Sequence, residues 1–178
     1  AADTITGGDG ADSLTGGAGA DIFVYTAATE TGTVTTFTAV STADTGAYDN
    51  GDKFVLSAGV DVIQGFAKDD EIVFKASAGA ITPASIATAA TVTGNGTSIT
   101  ATAHAIVKGT WTAGTTIGTS TSEFVVSATG ADSLYLFNGT GATTGMNAIV
   151  LKGFAGGAST GSEVIDTESY TGLIGTGG

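Results

Sequence analysis

Residues 7–24 read GGDGADSLTGGAGADIFV, two nine-residue units laid end to end. Both fit one pattern, G-G-x-G-x-D-x-U-x, where U is a large apolar residue. Gly7, Gly8, Gly10, Asp12 and Leu14 fill it first, then Gly16, Gly17, Gly19, Asp21 and Phe23. Asp3 and Ile5 close an earlier copy, so Asp3, Asp12 and Asp21 stand nine residues apart. Glycine at this density excludes a helix and lets six residues turn tightly with positive φ, exposing backbone carbonyls. The x-U-x tail is a minimal strand whose one apolar residue points inward. Turns of this kind, stacked, make a row of carbonyl and carboxylate oxygens, the ligand set that a hard cation such as Ca²⁺ requires.

These units resemble the RTX repeats of bacterial proteins exported by type I secretion, a calcium-binding β-helix pattern. The resemblance implies an all-β fold, a parallel β-roll, with Ca²⁺ held between turns two repeats apart. It implies that Asp3 and Asp21 share one ion and that Asp12 serves the opposite side with a partner further along. Asp9 lies within the first turn. Glu30 falls nine residues after Asp21, but Tyr25–Thr29 lacks the glycines, which makes it a weak partner.

A second, degenerate block follows. Asp52, Asp61 and Asp70 are again nine apart, each followed two residues later by an apolar residue, Phe54, Ile63 and Ile72. Gly59 takes the place of Gly10 and Gly19, while the paired glycines are missing. This block is expected to continue or cap the roll and to supply further metal ligands. The Thr-rich stretch at about 26–48 between the blocks reads as an insertion, a loop or a hairpin projecting from the roll. Residues 1–74 thus read as the roll, and 75–178 as a β-rich C-terminal cap unit. Short apolar runs such as Ile22–Tyr25, Lys53–Leu56, Glu71–Phe74, Glu123–Val126, Leu134–Phe137 and Ala148–Leu151 read as strands. One short helix is expected at 83–90, with Thr82 as N-cap and Pro83 at its first position.

In the second half, Gly130-Ala131-Asp132-Ser133-Leu134 repeats Gly10-Ala11-Asp12-Ser13-Leu14 letter for letter. The surrounding stretch 124–153 is similar to the C-terminal segment of RTX exporters. It carries Phe137-Asn138-Gly139 where acidic residues usually stand, so packing rather than an ion is expected there. By the same resemblance, residues at about 163–178 would hold an uncleaved export signal. Ala1 falls inside a repeat, which reads as a piece of a longer chain.

Composition narrows the function. Five lysines, no arginine and seventeen acidic residues give a net charge of −12. Such a surface repels nucleic acid and anionic lipid, and it strains the fold unless a cation relieves it. The absence of cysteine removes disulfides and thiolate metal sites. No apolar run reaches the length of a membrane span, so no membrane insertion is expected. Gly157–Gly161 matches the G-x-S-x-G nucleophile elbow by letter, but the sole histidine, His104, precedes it and its surroundings are Gly/Ala/Ser/Thr-rich. No catalytic residue emerges, and an enzyme is not expected. The Gly/Ala/Thr-rich acidic composition resembles bacterial S-layer proteins of the type I secretion class. That likeness implies an extracellular or cell-surface location and self-association with neighbouring copies. It also implies contact with cell-surface polysaccharide through chain upstream. The alternative is the C-terminal export and folding module of a secreted RTX protease, lipase or toxin.

Overall fold

The computed structural model describes residues 1–40, 48–67, 69–75, 104–116, 118–137, 146–155 and 174–177. Among the described residues twelve strands carry the fold. The first half supplies β1 (Thr4–Ile5), β2 (Ser13–Thr15), β3 (Ile22–Tyr25), β4 (Gly32–Thr38), β5 (Lys53–Leu56), β6 (Asp61–Gln64) and β7 (Glu71–Lys75). The second supplies β8 (His104–Thr112), β9 (Ser122–Val126), β10 (Asp132–Phe137), β11 (Asn147–Lys152) and β12 (Ile174–Gly177). A 3-10 turn at Ala28–Glu30 is the one helical element among the described residues, so the chain is all-β. The helix expected at 83–90 and the nucleophile-elbow lettering at 157–161 lie outside the described residues.

Two bodies share strands. The first is a parallel roll: β1, β3, β7 and β12 stack in one sheet, and β2, β6 and β11 stack in the other. The second is a ring of antiparallel strands, β10-β8-β9-β5-β4-β11, closed by the β10–β11 pairing. Closure removes exposed edges, which is how antiparallel sheets avoid sticking to other chains.

β11 belongs to both bodies. Asn147 and Ala148 pair with β4 of the barrel, and Ile149–Lys152 run parallel to β6 of the roll. This explains why the runs Leu134–Phe137 and Ala148–Leu151 are apolar at every position. Strands covered on both faces lose the alternation of a half-exposed strand. On β10, Leu134 and Leu136 enter the barrel core while Tyr135 and Phe137 enter the roll core. On β11, Ala148 and Val150 face the barrel, and Ile149 and Leu151 face the roll. The strand β6 divides likewise, Val62 to one side and Ile63 to the other. β5 lines only the barrel and alternates accordingly, with Phe54 and Leu56 buried and Lys53 and Val55 half-buried.

Two expectations change here. Within the stretch 26–48 the described residues do not project from the roll: Gly32–Thr38 form β4, which pairs with β5 and β11, and Val34 and Tyr48 enter the barrel core. The β4 threonines mark the outer face of a sheet, with Thr33, Thr35, Thr36 and Thr38 exposed. The boundary expected at 74/75 falls between strands that share a sheet, since β9 pairs with β5 and β11 with β6. No helix among the described residues is long and apolar enough to cross a membrane.

Candidate metal centre

Five strands of the roll, β1, β2, β3, β6 and β7, begin at or directly after an aspartate, and the aspartates stack. Asp21 Oδ1 accepts the Asp3 amide at 2.8 Å, and Asp70 Oδ1 accepts the Asp21 amide at 2.9 Å. Asp61 Oδ1 accepts the Asp12 amide at 2.8 Å on the other side. Backbone bonds run the opposite way between the same rungs, from Ile22 to the Asp3 carbonyl, from Val62 to Asp12 and from Glu71 to Asp21. The result is two ladders, Asp3–Asp21–Asp70 and Asp12–Asp61.

Asp12 therefore finds its partner at Asp61, not at Glu30. Both Glu30 carboxylate oxygens turn back to Thr26, to its amide at 2.6 Å and to its hydroxyl. The signal for the true pairing was in the sequence. Asp61 follows Asp12, and Asp70 follows Asp21, by the same 49 residues. An equal offset for two successive aspartates means that the roll resumes in register after the chain has built β4 and β5.

The glycines earn their places individually. Gly8, Gly10, Gly17 and Gly19 have φ between 90° and 133°, a region L-residues rarely enter. Gly7 and Gly16 are needed for space, because a Cβ there would collide with the carboxylates of Asp12 and Asp21. Gly59, by contrast, does not reproduce Gly10. Its turn closes through the Val60 amide on the Ser57 carbonyl, without positive φ.

The electrostatics point to a missing positive charge. Asp12 Oδ2, Asp21 Oδ2 and Asp61 Oδ2 are buried and accept nothing. A buried oxygen without a donor costs about 1–3 kcal/mol, and more when it is charged. Burial pushes the Asp61 carboxyl up to about 6; the Asp12 amide and the nearby Tyr25 hydroxyl pull it down, and the charges of Asp12 and Glu30 push it up. Burial, and then the neighbouring Asp61, hold the Tyr25 hydroxyl well above its ordinary range. That hydroxyl stands beside Asp61 but outside hydrogen-bonding geometry.

The residues fit a hard cation, since the unpartnered atoms are carboxylate oxygens beside turns opened by glycine. Among the described residues no three acidic or histidine side chains converge on one point. An ion at these turns would be held by one or two carboxylates, with backbone carbonyls as further oxygen ligands. Asp3 and Asp9 are exposed. Asp70 is nearly satisfied, its Oδ2 accepting the Ala67 amide at 2.8 Å.

Asp52 is separated from the ladders. It lies at the foot of β5 in the barrel and is fully buried. Its carboxylate accepts the Val40 amide at 2.9 Å and the Asp49 amide at 2.8 Å. The nine-residue phase groups it with Asp61 and Asp70, but the chain between uses it to fasten the β4–β5 connection. Asp132, in the second Gly-Ala-Asp-Ser-Leu, is likewise satisfied, by the Trp111 and Gly153 amides at 2.9 Å each.

No curated protein and no solved structure matches the chain. Residues 1–27 match the family model of the RTX calcium-binding nonapeptide repeat (4 copies), which makes Ca²⁺ the ion these stacked turns take.

Proposed function

We propose that this chain is a calcium-dependent folding and assembly module of a bacterial secreted surface protein, S-layer-like and exported by type I secretion, with no catalytic role. The observation that carries the reading is the set of buried, donor-less oxygens on Asp12, Asp21 and Asp61 within two stacked ladders. At low calcium these carboxylates and the net charge of −12 oppose closure, and the glycine turns carry a large ordering entropy. Bound Ca²⁺ supplies the positive charge that the ladders lack. Gly7, Gly8, Gly16 and Gly17 hold the turns open to it, and Asp12 and Asp21 orient toward it. Because β11 is common to the roll and the barrel, closing the roll also fixes a strand of the barrel wall.

Extracellular calcium modules bind at about 0.1 to 1 mM, so the cytoplasm leaves the turns open and the exterior closes them. Calcium titrated into the chelator-treated chain, read by circular dichroism and light scattering together, tests this. Gain of β signal with rising scattering is the expected outcome. A gain with flat scattering favours the alternative, an export and folding module of a secreted enzyme or toxin. No change in either signal overturns the calcium reading itself.

A further inference from the structure

Asn50 and Gly51 form the corner of the turn that enters β5, closed by the Asp52 amide on the Asp49 carbonyl at 3.0 Å. Gly51 takes a φ of 101°, and Asn50 is exposed. An asparagine followed by glycine carries its own reaction. The next amide nitrogen, unshielded by a Cβ, can attack the side-chain carbonyl carbon and expel ammonia. Here both participants are already engaged. The Gly51 amide donates to the Val126 carbonyl at 2.8 Å, and Asn50 Oδ1 accepts the Ala128 amide at 3.2 Å. The Val126 amide in turn donates to the Asp52 carbonyl at 2.8 Å, so the corner is tied to the end of β9 from both sides.

We infer that Asn50–Gly51 is a modification site gated by the barrel: the folded chain blocks conversion of Asn50, and an opened chain undergoes it. In the reaction the Gly51 nitrogen loses its proton and bonds to Asn50 Cγ. The Cγ–Nδ2 bond breaks and ammonia leaves. Water then opens the succinimide at either carbonyl, which leaves aspartate or isoaspartate at position 50. In the fold the Gly51 proton is committed to Val126 and the Asn50 side chain to Ala128, so both bonds must open before the ring closes. The two products differ in consequence. Aspartate keeps an oxygen for the Ala128 amide. Isoaspartate adds a methylene to the main chain inside the turn, which draws the Asp52 carboxylate away from the Val40 and Asp49 amides. A chain that stays open therefore loses its way back to the β5–β9 pairing. No ion takes part, so this site stands apart from the calcium reading.

The full chain is incubated in one mildly alkaline buffer in which circular dichroism shows it folded, and in the same buffer with guanidinium chloride. Mass spectrometry with fragmentation that separates asparagine, aspartate and isoaspartate follows position 50 over time. Conversion should be at least about tenfold slower in the folded chain, because two hydrogen bonds must open first. Comparable rates in the two samples overturn the inference. The aged, denatured sample is then refolded and divided by size exclusion into folded and unfolded fractions. Isoaspartate at position 50 should be enriched over aspartate among the chains that fail to refold. An even distribution of the two products overturns the claim that the added methylene closes the way back.

Discussion

Gly-Ala-Asp-Ser-Leu occurs at 10–14 and again at 130–134, and the two copies do different work at four of the five positions. Gly10 supplies a φ of 120°, whereas Gly130 has no room for a Cβ against the Gly109 backbone. Asp12 keeps one buried oxygen without a donor, while both oxygens of Asp132 accept backbone amides. Ser13 is exposed, and Ser133 is fully buried. Leu14 plugs the thin core of the roll, and Leu134 sits in the barrel core. Identical letters thus make a cation turn in one body and a backbone staple in the other. What differs is the company: a stacked glycine turn around Asp12, and three antiparallel strands around Asp132.

The leucines should separate the copies most widely. Leu134→Ala opens a cavity in a fully enclosed wall and should cost about 3–5 kcal/mol, against about 2 kcal/mol for Leu14→Ala at the end of the roll. Denaturant unfolding in calcium measures both. Equal losses would mean that the roll is as tightly packed as the barrel.

The aspartates should differ in kind. Asp132→Ala leaves two part-buried amides without their acceptor and should cost about 2 kcal/mol, the same in calcium and in chelator. Asp21→Asn and Asp12→Asn should instead cost about 1.4 kcal/mol when calcium is tenfold above its dissociation constant, and should cost nothing in chelator, where each removes a charge that opposes closure. Melting curves with and without calcium decide it. A calcium-dependent loss in Asp132→Ala would put a metal at the barrel and erase the contrast.

Protonation gives a further contrast. Asp61 has a folded pKa of about 6, above the unfolded carboxylate value of about 3.9. The native state therefore holds the extra proton between those values, and stability falls as pH rises through them. In chelator, the chain should gain about 1 kcal/mol on going from pH 7 to pH 5 from this group, and Asp61→Asn should flatten that slope. Saturating calcium should flatten it too, because the ion replaces the proton as counter-charge. A slope unaffected by Asp61→Asn would assign the penalty to another carboxylate.

Much of this was legible in the chain. Gly7–Val24 predicts turn, strand and ion because each glycine answers a local backbone demand, and local demands are written in consecutive letters. The stacked partners of those turns were harder, since register depends on what the chain does between them. The equal offset of Asp61 and Asp70 held that answer, but the nine-residue phase drew in Asp52, which the barrel uses for a turn. The barrel itself was hidden: β4 read as an inserted loop or hairpin because threonines cover one face and only Val34 and Phe37 mark the other. The apolar runs at 134–137 and 148–151 did announce strands covered on both faces. Which two cores they divide depends on the β4–β11 and β6–β11 pairings, and no local pattern encodes a pairing between strands so distant in sequence.

The serines give the smallest and cleanest contrast. Ser133 Oγ donates to the Phe154 carbonyl at 2.6 Å and ties β10 to the segment after β11. Ser13 Oγ meets only the exposed Gln64 side chain. Ser133→Ala removes one neutral bond and strands a partly buried carbonyl, which should cost about 1 kcal/mol. Ser13→Ala gives up a bond that water replaces, and it should fall within about 0.5 kcal/mol of the parent. Both substitutions delete the same atom from the same five-letter context. Any difference between them therefore measures the fold around the letters. If both were neutral, the Asp132–Gly153 bond would carry more of the link from β10 to the segment after β11, and Asp132→Ala should then loosen the shared wall for both cores at once.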